Sequence, residues 1–352
     1  MESAILLTSG MFRTPFAKTA HGLIRGPSRY QVVGVVDATC ADEDAGDLLD
    51  GMERAIPIRA SLANFLERGE RATHCVIGVA TEGGRIPADL RGELLIAARA
   101  GMTIVNGLHE LLTEDAELVE AAKTEGAQLV DLRRPRPASE LRFWTGEVLS
   151  LEVPRVAILG TDCAVGKRTT ATLLRDQLRA EDVRAELIYT GQTGWMQGGT
   201  HGFLFDATLN DFVPGELEGA ILGCAKDCDP QVILLEGQSS LRNPSGPAGA
   251  ELLLSGGARG VVLQHAPGRE YFEGFRSIDL RMPALEQELE LIGLYGSEVW
   301  ALTLNLEGRH DVQSICAEYE ERLGIPVLAP LSSGMARLSQ TIASKCGLRN
   351  DG

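Results

Sequence analysis

The residues best placed to do chemistry lie in the segment 155–170, R-V-A-I-L-G-T-D-C-A-V-G-K-R-T-T. An apolar run leads into a glycine-bounded loop, a Gly-Lys pair and a helical pattern. In that order, successive backbone N–H groups and a helix N-terminus face an anion, and the lysine supplies a point charge. The residues expected to hold a phosphate-bearing ligand are Gly160, Thr161, Asp162, Cys163, Ala164, Val165, Gly166, Lys167, Arg168, Thr169 and Thr170. Gly160 and Gly166 enclose five residues, one more than the common G-x4-G-K spacing. Arg168 stands where a Ser or Thr would ligate Mg²⁺, and Thr169 is rotated about 100° further around the helix. The loop is therefore suited to binding phosphate and poorly suited to Mg²⁺-dependent phosphoryl transfer.

Carboxylates cluster at other strand ends. The run Val232 to Gln238 sets Glu236 where such folds keep a base or metal residue, and Tyr189 to Trp195 follows a neighbouring strand in the same way. The stretch from Asp206 to Glu218 groups four acids near an expected helix start, where Asp211 can equally serve as a cap. Seven scattered cysteines suit a reducing compartment. Cys224 and Cys228 are four apart without a second Cys/His pair, so zinc is not expected, and His74, His109, His201 and His310 read as ordinary polar residues.

These residues need a scaffold, and the sequence predicts two α/β domains. Apolar runs at Ala4–Leu7, Val32–Asp37, Cys75–Val79, Met102–Val105 and Leu129–Val130 alternate with helical patterns at Pro87–Ala100 and Leu108–Glu125. This reads as a Rossmann-like parallel sheet over residues 1–137, although no G-x-G-x-x-G follows its first strand. Gly78 to Gly84 reads as a plain turn. Residues 138–154 form the expected connection, after the Arg-Pro-rich stretch from Arg133 to Pro137. Over 155–352, strands are expected at Arg155–Leu159, Ala185–Tyr189, Val232–Leu235, Gly260–Gln264, Val299–Asn305 and Pro326–Leu328. Helices are expected at Lys167–Ala180, Pro283–Gly293, His310–Leu323 and Met335–Lys345. Ala171, Leu174 and Leu178 would face the sheet. The second domain is thus a doubly wound parallel sheet of the P-loop NTPase type.

The longer G-T-D-x-x-V-G-K loop resembles that of dethiobiotin synthetase and its relatives. Together with Ala17 to Arg25, Thr190 to Trp195, Asp206 to Glu218 and Leu235 to Gln238, it makes essentially the whole chain resemble the D-glutamate N-acetyltransferase family, long catalogued as of unknown function. The resemblance implies acetyl-CoA as cosubstrate, with the loop holding its phosphates, and an acidic amino acid as acceptor. Coenzyme A needs no hydrolysis, which agrees with a P-loop lacking its Mg²⁺ hydroxyl, and no metal is expected. Acetyl transfer requires a base for the ammonium, donors for the thioester oxygen and cations for the acceptor's carboxylates. Glu236 is the first candidate base, then Asp206 or Asp211, with His21 and His265 in reserve. Lys18, Thr19, His21 and Arg25, in a loop after the first strand, and Gln192 are the expected acceptor contacts, with Arg242 and Arg269 as further cations.

Composition narrows the partners. With 33 Lys and Arg against 49 Asp and Glu, the net charge of −16 disfavours nonspecific contact with nucleic acid or anionic membrane. Met1-Glu2-Ser3 lacks the basic start of a secretory signal, so a cytoplasmic protein is expected, and base rates favour a homodimer or higher homo-oligomer. Two other readings stay open: an ATP/Mg²⁺-dependent carboxylase or ligase with Asp162 and Glu236 on the metal, and a non-catalytic CoA or nucleotide sensor.

Overall fold

The computed structural model describes residues 2–306, 309, 311–332 and 335–348. It divides into two compact units: residues 1–136 with 192–200, and residues 137–191 with 201–352.

The first unit holds six parallel strands: β1 (Glu2–Leu7), β2 (Tyr30–Val36), β3 (Ile58–Arg59), β4 (His74–Ile77), β5 (Thr103–Asn106) and β6 (Leu129–Asp131). Their order is β3-β2-β1-β4-β5-β6, the doubly wound Rossmann arrangement. Its helices are α1 (Lys18–Arg25), α2 (Ala45–Asp50), α3 (Leu62–Glu67), α4 (Ala88–Arg99) and α5 (Ala116–Glu125). The central strands carry buried apolar runs, residues 4–7 in β1 and 75–77 in β4, because both of their faces are covered. Ile5, Leu7, Ile77 and Ile104 pack on one side, and Ala4, Leu6, Val76 and Val105 on the other. The expected helix from Leu108 starts only at Ala116. Before it the chain folds around Asp131, whose carboxylate accepts from Leu112 N, Thr113 N and Asn106 Nδ2.

The excursion Gln192–Thr200 joins this unit. It carries a one-turn helix, α7 (Gln192–Met196), and packs within this unit on α1 and on the end of β5. Met196 is fully buried among Ala4, Leu6, Leu23 and Val105. Arg133 donates to Gln192 Oε1 at 3.0 Å, and Arg29 stacks on the Trp195 ring at 4.2 Å. Gly107 has no room for a side chain, since a Cβ there would stand 2.7 Å from Gln192. The turn that follows β5 is thus covered by the chain itself.

The second unit is built on β7 (Arg155–Gly160), β8 (Ala185–Ile188), β9 (Val232–Glu236), β10 (Gly260–His265), β11 (Glu298–Leu304) and β12 (Val327–Leu328). All are parallel, in the order β12-β11-β10-β7-β9-β8. Its helices are α6 (Lys167–Ala180), α8 (Val213–Cys228), α9 (Ala250–Leu254), α10 (Leu285–Leu294), α11 (Val312–Leu323) and α12 (Met335–Lys345). Ala171, Leu174 and Leu178 of α6 are fully buried against Val156, Ile158 and Leu234, as their spacing predicts. The expected helix start at His310 lies outside the described residues.

The 138–154 connection is fastened to this unit by two buried acids of α8. Glu216 accepts from Arg142 N, and Glu218 accepts from Thr145 N at 2.6 Å and Val148 N at 3.1 Å. These backbone N–H groups pull the Glu218 carboxyl below its ordinary pKa, against the opposing effect of burial. Two of the four acids between Asp206 and Glu218 are therefore structural. Among the described residues, no helix is long and apolar enough to cross a membrane.

Candidate functional site: a phosphate loop with a built-in cation

Strand β7 is buried along its whole length and ends at Gly160, where the chain turns through residues 161–166 into α6. Gly166 has φ +110°, which only glycine adopts without strain, and no side chain caps the helix it opens. The amides of the first helical turn have no partner within the helix and point out of its N-terminus. Gly160 gives room for the lysine stem, since a Cβ there would lie 2.9 Å from Lys167 Cδ. Lys167 folds back across the loop, its Nζ donating at 2.7 Å to the carbonyls of both Asp162 and Ser239.

The remaining loop residues divide by the direction they face. Asp162 is fully buried; its carboxylate accepts from Asn243 Nδ2 at 2.8 Å, Glu273 N at 2.7 Å and Arg269 Nη1 at 3.1 Å. Arg269 also donates to the Cys163 carbonyl, so this cation is committed to shaping the loop. Cys163 donates to Ser239 Oγ at 3.4 Å. Thr170 turns inward to Gln264 Oε1 at 2.5 Å, and Thr161 bonds His265 Nδ1 at 3.0 Å. Burial, with Arg322 and Arg269 adding to it, pushes the His265 imidazole down to about 4. Thr169 stays half-buried on α6, and Ala164 is exposed with φ +52°.

Arg168 and Glu236 define the site's electrostatics. The order β7-β9 sets the end of β9 beside the phosphate loop, and Arg168 Nη2 lies 2.5 Å from Glu236 Oε1. Glu236 is 3% exposed at its side chain, and its second oxygen accepts from Thr190 N at 3.2 Å. Thr190 in turn donates to the Glu236 carbonyl and accepts from Gln238 Nε2. Arg168 Nε is buried with no hydrogen-bond partner among the described residues. A P-loop protein of the Mg²⁺ type would hold its metal between the hydroxyl after the lysine and a strand-end carboxylate. Here a guanidinium already occupies the place between the phosphate loop and that carboxylate.

The other expected site residues fall as follows. Lys18, Thr19, His21 and Arg25 do not form a loop: they make up α1, entered through a 3₁₀ turn at Pro15–Ala17. Ala20, Leu23 and Ile24 repeat at helical spacing and are buried, which was the available signal; Gly22 obscured it. Lys18 is exposed, Thr19 bonds Thr193 Oγ1 at 3.1 Å, and Arg25 makes a partly exposed 3.5 Å pair with Asp50. His21 Nε2 donates to the Phe12 carbonyl, and burial lowers its pKa. Gln192 belongs to the first unit, whereas Thr190 and Gly191 stay with the phosphate loop. Asp206 and Asp211 are exposed in 3₁₀ turns, and Asp211 caps no helix. Arg242 is tied to Glu288 at 2.7 Å. Cys224 and Cys228 stand apart from any His in local sequence, but the fold brings His201 beside them.

Fold and loop together define a two-domain α/β protein of the P-loop class with a Rossmann-like partner domain. Residues 142–339 match the "Domain of unknown function (DUF1611_C) P-loop domain", and residues 38–135 the "(DUF1611_N) Rossmann-like domain". The chain belongs to the DUF1611 family. A relative from Tritonibacter scottomollicae, named D-glutamate N-acetyltransferase, is 30% identical over 279 residues, covering 76% of this chain and 80% of its own. A protein of the same name from a Pseudoalteromonas species is 29% identical over 273 residues, covering 74% and 78%. The crystal structure of a DUF1611 protein from Anabaena variabilis superposes with a TM-score of 0.86 at 27% identity, covering 98% of this chain and all of that one.

Proposed function

We propose that the protein is an N-acetyltransferase that moves the acetyl group of acetyl-CoA to the α-amine of an acidic amino acid, D-glutamate first among candidates. The Arg168–Glu236 pair carries this reading. A resident guanidinium beside a phosphate loop favours an anionic ligand that arrives without Mg²⁺ and leaves with its phosphates intact. Coenzyme A meets that description, and ATP bound for hydrolysis does not. Asp162 fits a metal role poorly, because Asn243, Arg269 and the Glu273 amide already satisfy its oxygens. The names of the two curated relatives supply the acyl-transfer chemistry and the acceptor.

In this reading the open amides of α6 and Lys167 meet the CoA phosphates, and Lys167 exchanges its two carbonyl partners for phosphate oxygens. Arg168 turns part of its charge to the same phosphates, which loosens its hold on Glu236. The freed carboxylate then accepts a proton from the acceptor's ammonium. The amine nitrogen bonds to the thioester carbon, the C–S bond breaks, and the departing thiolate takes up the further proton that the nitrogen sheds as it becomes an amide. Asp206 and Asp211 are exposed alternatives for the same proton. Lys18 and Arg25, with Thr19, His21 and Gln192, are the proposed contacts of the acceptor. The Arg25–Asp50 pair is exposed enough to be exchanged for a substrate carboxylate at less than about 1 kcal/mol.

Thermal unfolding with acetyl-CoA, CoA and ATP·Mg²⁺ separates the readings, because a ligand at 100 times its Kd stabilises by about 2.7 kcal/mol. Stabilisation by both CoA forms is expected, together with thiol release when an acidic amino acid is added. Stabilisation by ATP·Mg²⁺ alone would overturn the proposal. CoA binding without thiol release across D- and L-amino acids would reduce the protein to a sensor.

A further inference from the structure

The Cys224–Cys228 pair lies in the last turns of α8, four residues apart and so on one face of the helix. The partner absent from the local sequence comes from elsewhere in the same unit. His201 is the first residue back after the excursion Gln192–Thr200, and its backbone is fixed beside the end of β8. Tyr189 N donates to the His201 carbonyl at 3.2 Å, Phe203 N donates to the Tyr189 carbonyl at 3.1 Å, and Gly202 pairs with Tyr189 as a parallel bridge. The imidazole is thereby delivered to α8, where one ligand atom from each of His201, Cys224 and Cys228 lies within 4.8 Å of the others.

These distances suit one ion. With Zn–S of about 2.3 Å and Zn–N of about 2.05 Å at a tetrahedral angle, N and S should stand about 3.6 Å apart and two sulfurs about 3.8 Å apart. Cys228 Sγ and His201 Nε2 are 3.6 Å apart. Cys224 is fully buried, while Cys228 and His201 are half-buried, which leaves an approach from one side. The Asp227 carboxylate lies 3.9 Å from His201 Nε2 and is 60% exposed. Glu186 and Asp227 add negative potential around the thiols. A soft divalent cation would turn that potential from a penalty on the thiolates into an attraction. A disulfide between the two cysteines is disfavoured, because residues i and i+4 of a continuous helix sit near the upper limit of its Cα separation.

We propose that His201, Cys224 and Cys228 bind a zinc ion, with a water as fourth ligand. The site is structural: it clamps the re-entering chain at His201 to the C-terminal end of α8. It does not depend on the acetyltransferase reading, because its readout is metal content.

The test uses the full chain, reduced and grown in zinc-supplemented medium. Elemental analysis should find about one zinc per chain, and cobalt substitution should give a thiolate-to-cobalt charge-transfer band with tetrahedral d–d absorption. Cys228→Ser and His201→Asn, neither fully buried, should each weaken zinc binding at least tenfold in chelator competition and change the cobalt spectrum. Two results would overturn the proposal: a reduced native chain that neither carries nor takes up zinc, or zinc content and affinity unchanged in both variants. Should one variant fail to fold, the other and the native cobalt spectrum still decide.

Discussion

Replacing Arg168 by Met tests whether the guanidinium is the resident counter-charge of Glu236. The carboxylate side chain is 3% exposed and the guanidinium side chain 25% exposed. Removing one partner of a fully buried pair costs about 3–5 kcal/mol, because the other charge stays in a poorly solvated place. Here the Thr190 amide still bonds Glu236, and water can reach the arginine side, which puts the loss near the low end at about 3 kcal/mol. For a unit of this size each kcal/mol shifts Tm by about 2–4 °C, so the transition of the P-loop unit should fall by about 6–12 °C. Adding Glu236→Gln removes the stranded charge while keeping an acceptor for the Thr190 amide. The double variant should therefore recover most of the loss, with a coupling of about 2 kcal/mol. Differential scanning calorimetry on the four members of the cycle, without ligand, measures this. A single variant that loses under about 1 kcal/mol, or single effects that simply add, would show that the two side chains do not depend on each other, and the resident-cation argument would fail.

Other outcomes are expected. Lys167→Ala removes one charge-assisted contact to phosphate, worth about 1.5–3 kcal/mol, so acetyl-CoA affinity by calorimetric titration should fall tenfold to about 100-fold with amine selectivity kept; unchanged affinity would put the phosphates elsewhere. For His265, the folded value of about 4 lies below the ordinary 6.5, so between those pH values the unfolded chain binds a proton that the folded chain does not. Stability is lost as pH falls through that window, and from pH 7 to 4.5 the native chain should lose about 2.5 kcal/mol more than His265→Gln. Equal pH slopes for the two in urea unfolding would contradict a buried neutral imidazole at Thr161.

Much of the scaffold was legible because parallel strands covered on both faces are written as apolar runs, and sheet-facing helices as a 3.6-residue repeat. The bounds of α6 and α12 follow from such patterns alone. Where local pattern and packing disagreed, packing prevailed. Helix α1 carries a glycine because Thr193 and Gln197 crowd that face, within 3.3–3.4 Å of a Cβ at Gly22. The short strand β3 and helices α2 and α3 passed unnoticed because runs of two to six residues show no periodicity.

The sequence by itself determined that a phosphate loop exists, that an arginine replaces its metal-binding hydroxyl, and that two parallel sheets carry the chain. It could do so because strand, loop and helix are contiguous and their chemistry is local. Only the tertiary structure decided what each charge does. Strand order set Glu236 beside Arg168, sent Arg269 to Asp162 rather than to solvent, and brought His201 to the two cysteines of α8. Tertiary packing also placed Gln192–Thr200 with the Rossmann-like unit rather than with the strands that flank it in sequence. Pairings between residues distant in sequence depend on which strands become neighbours, and periodicity along one segment carries no record of that choice.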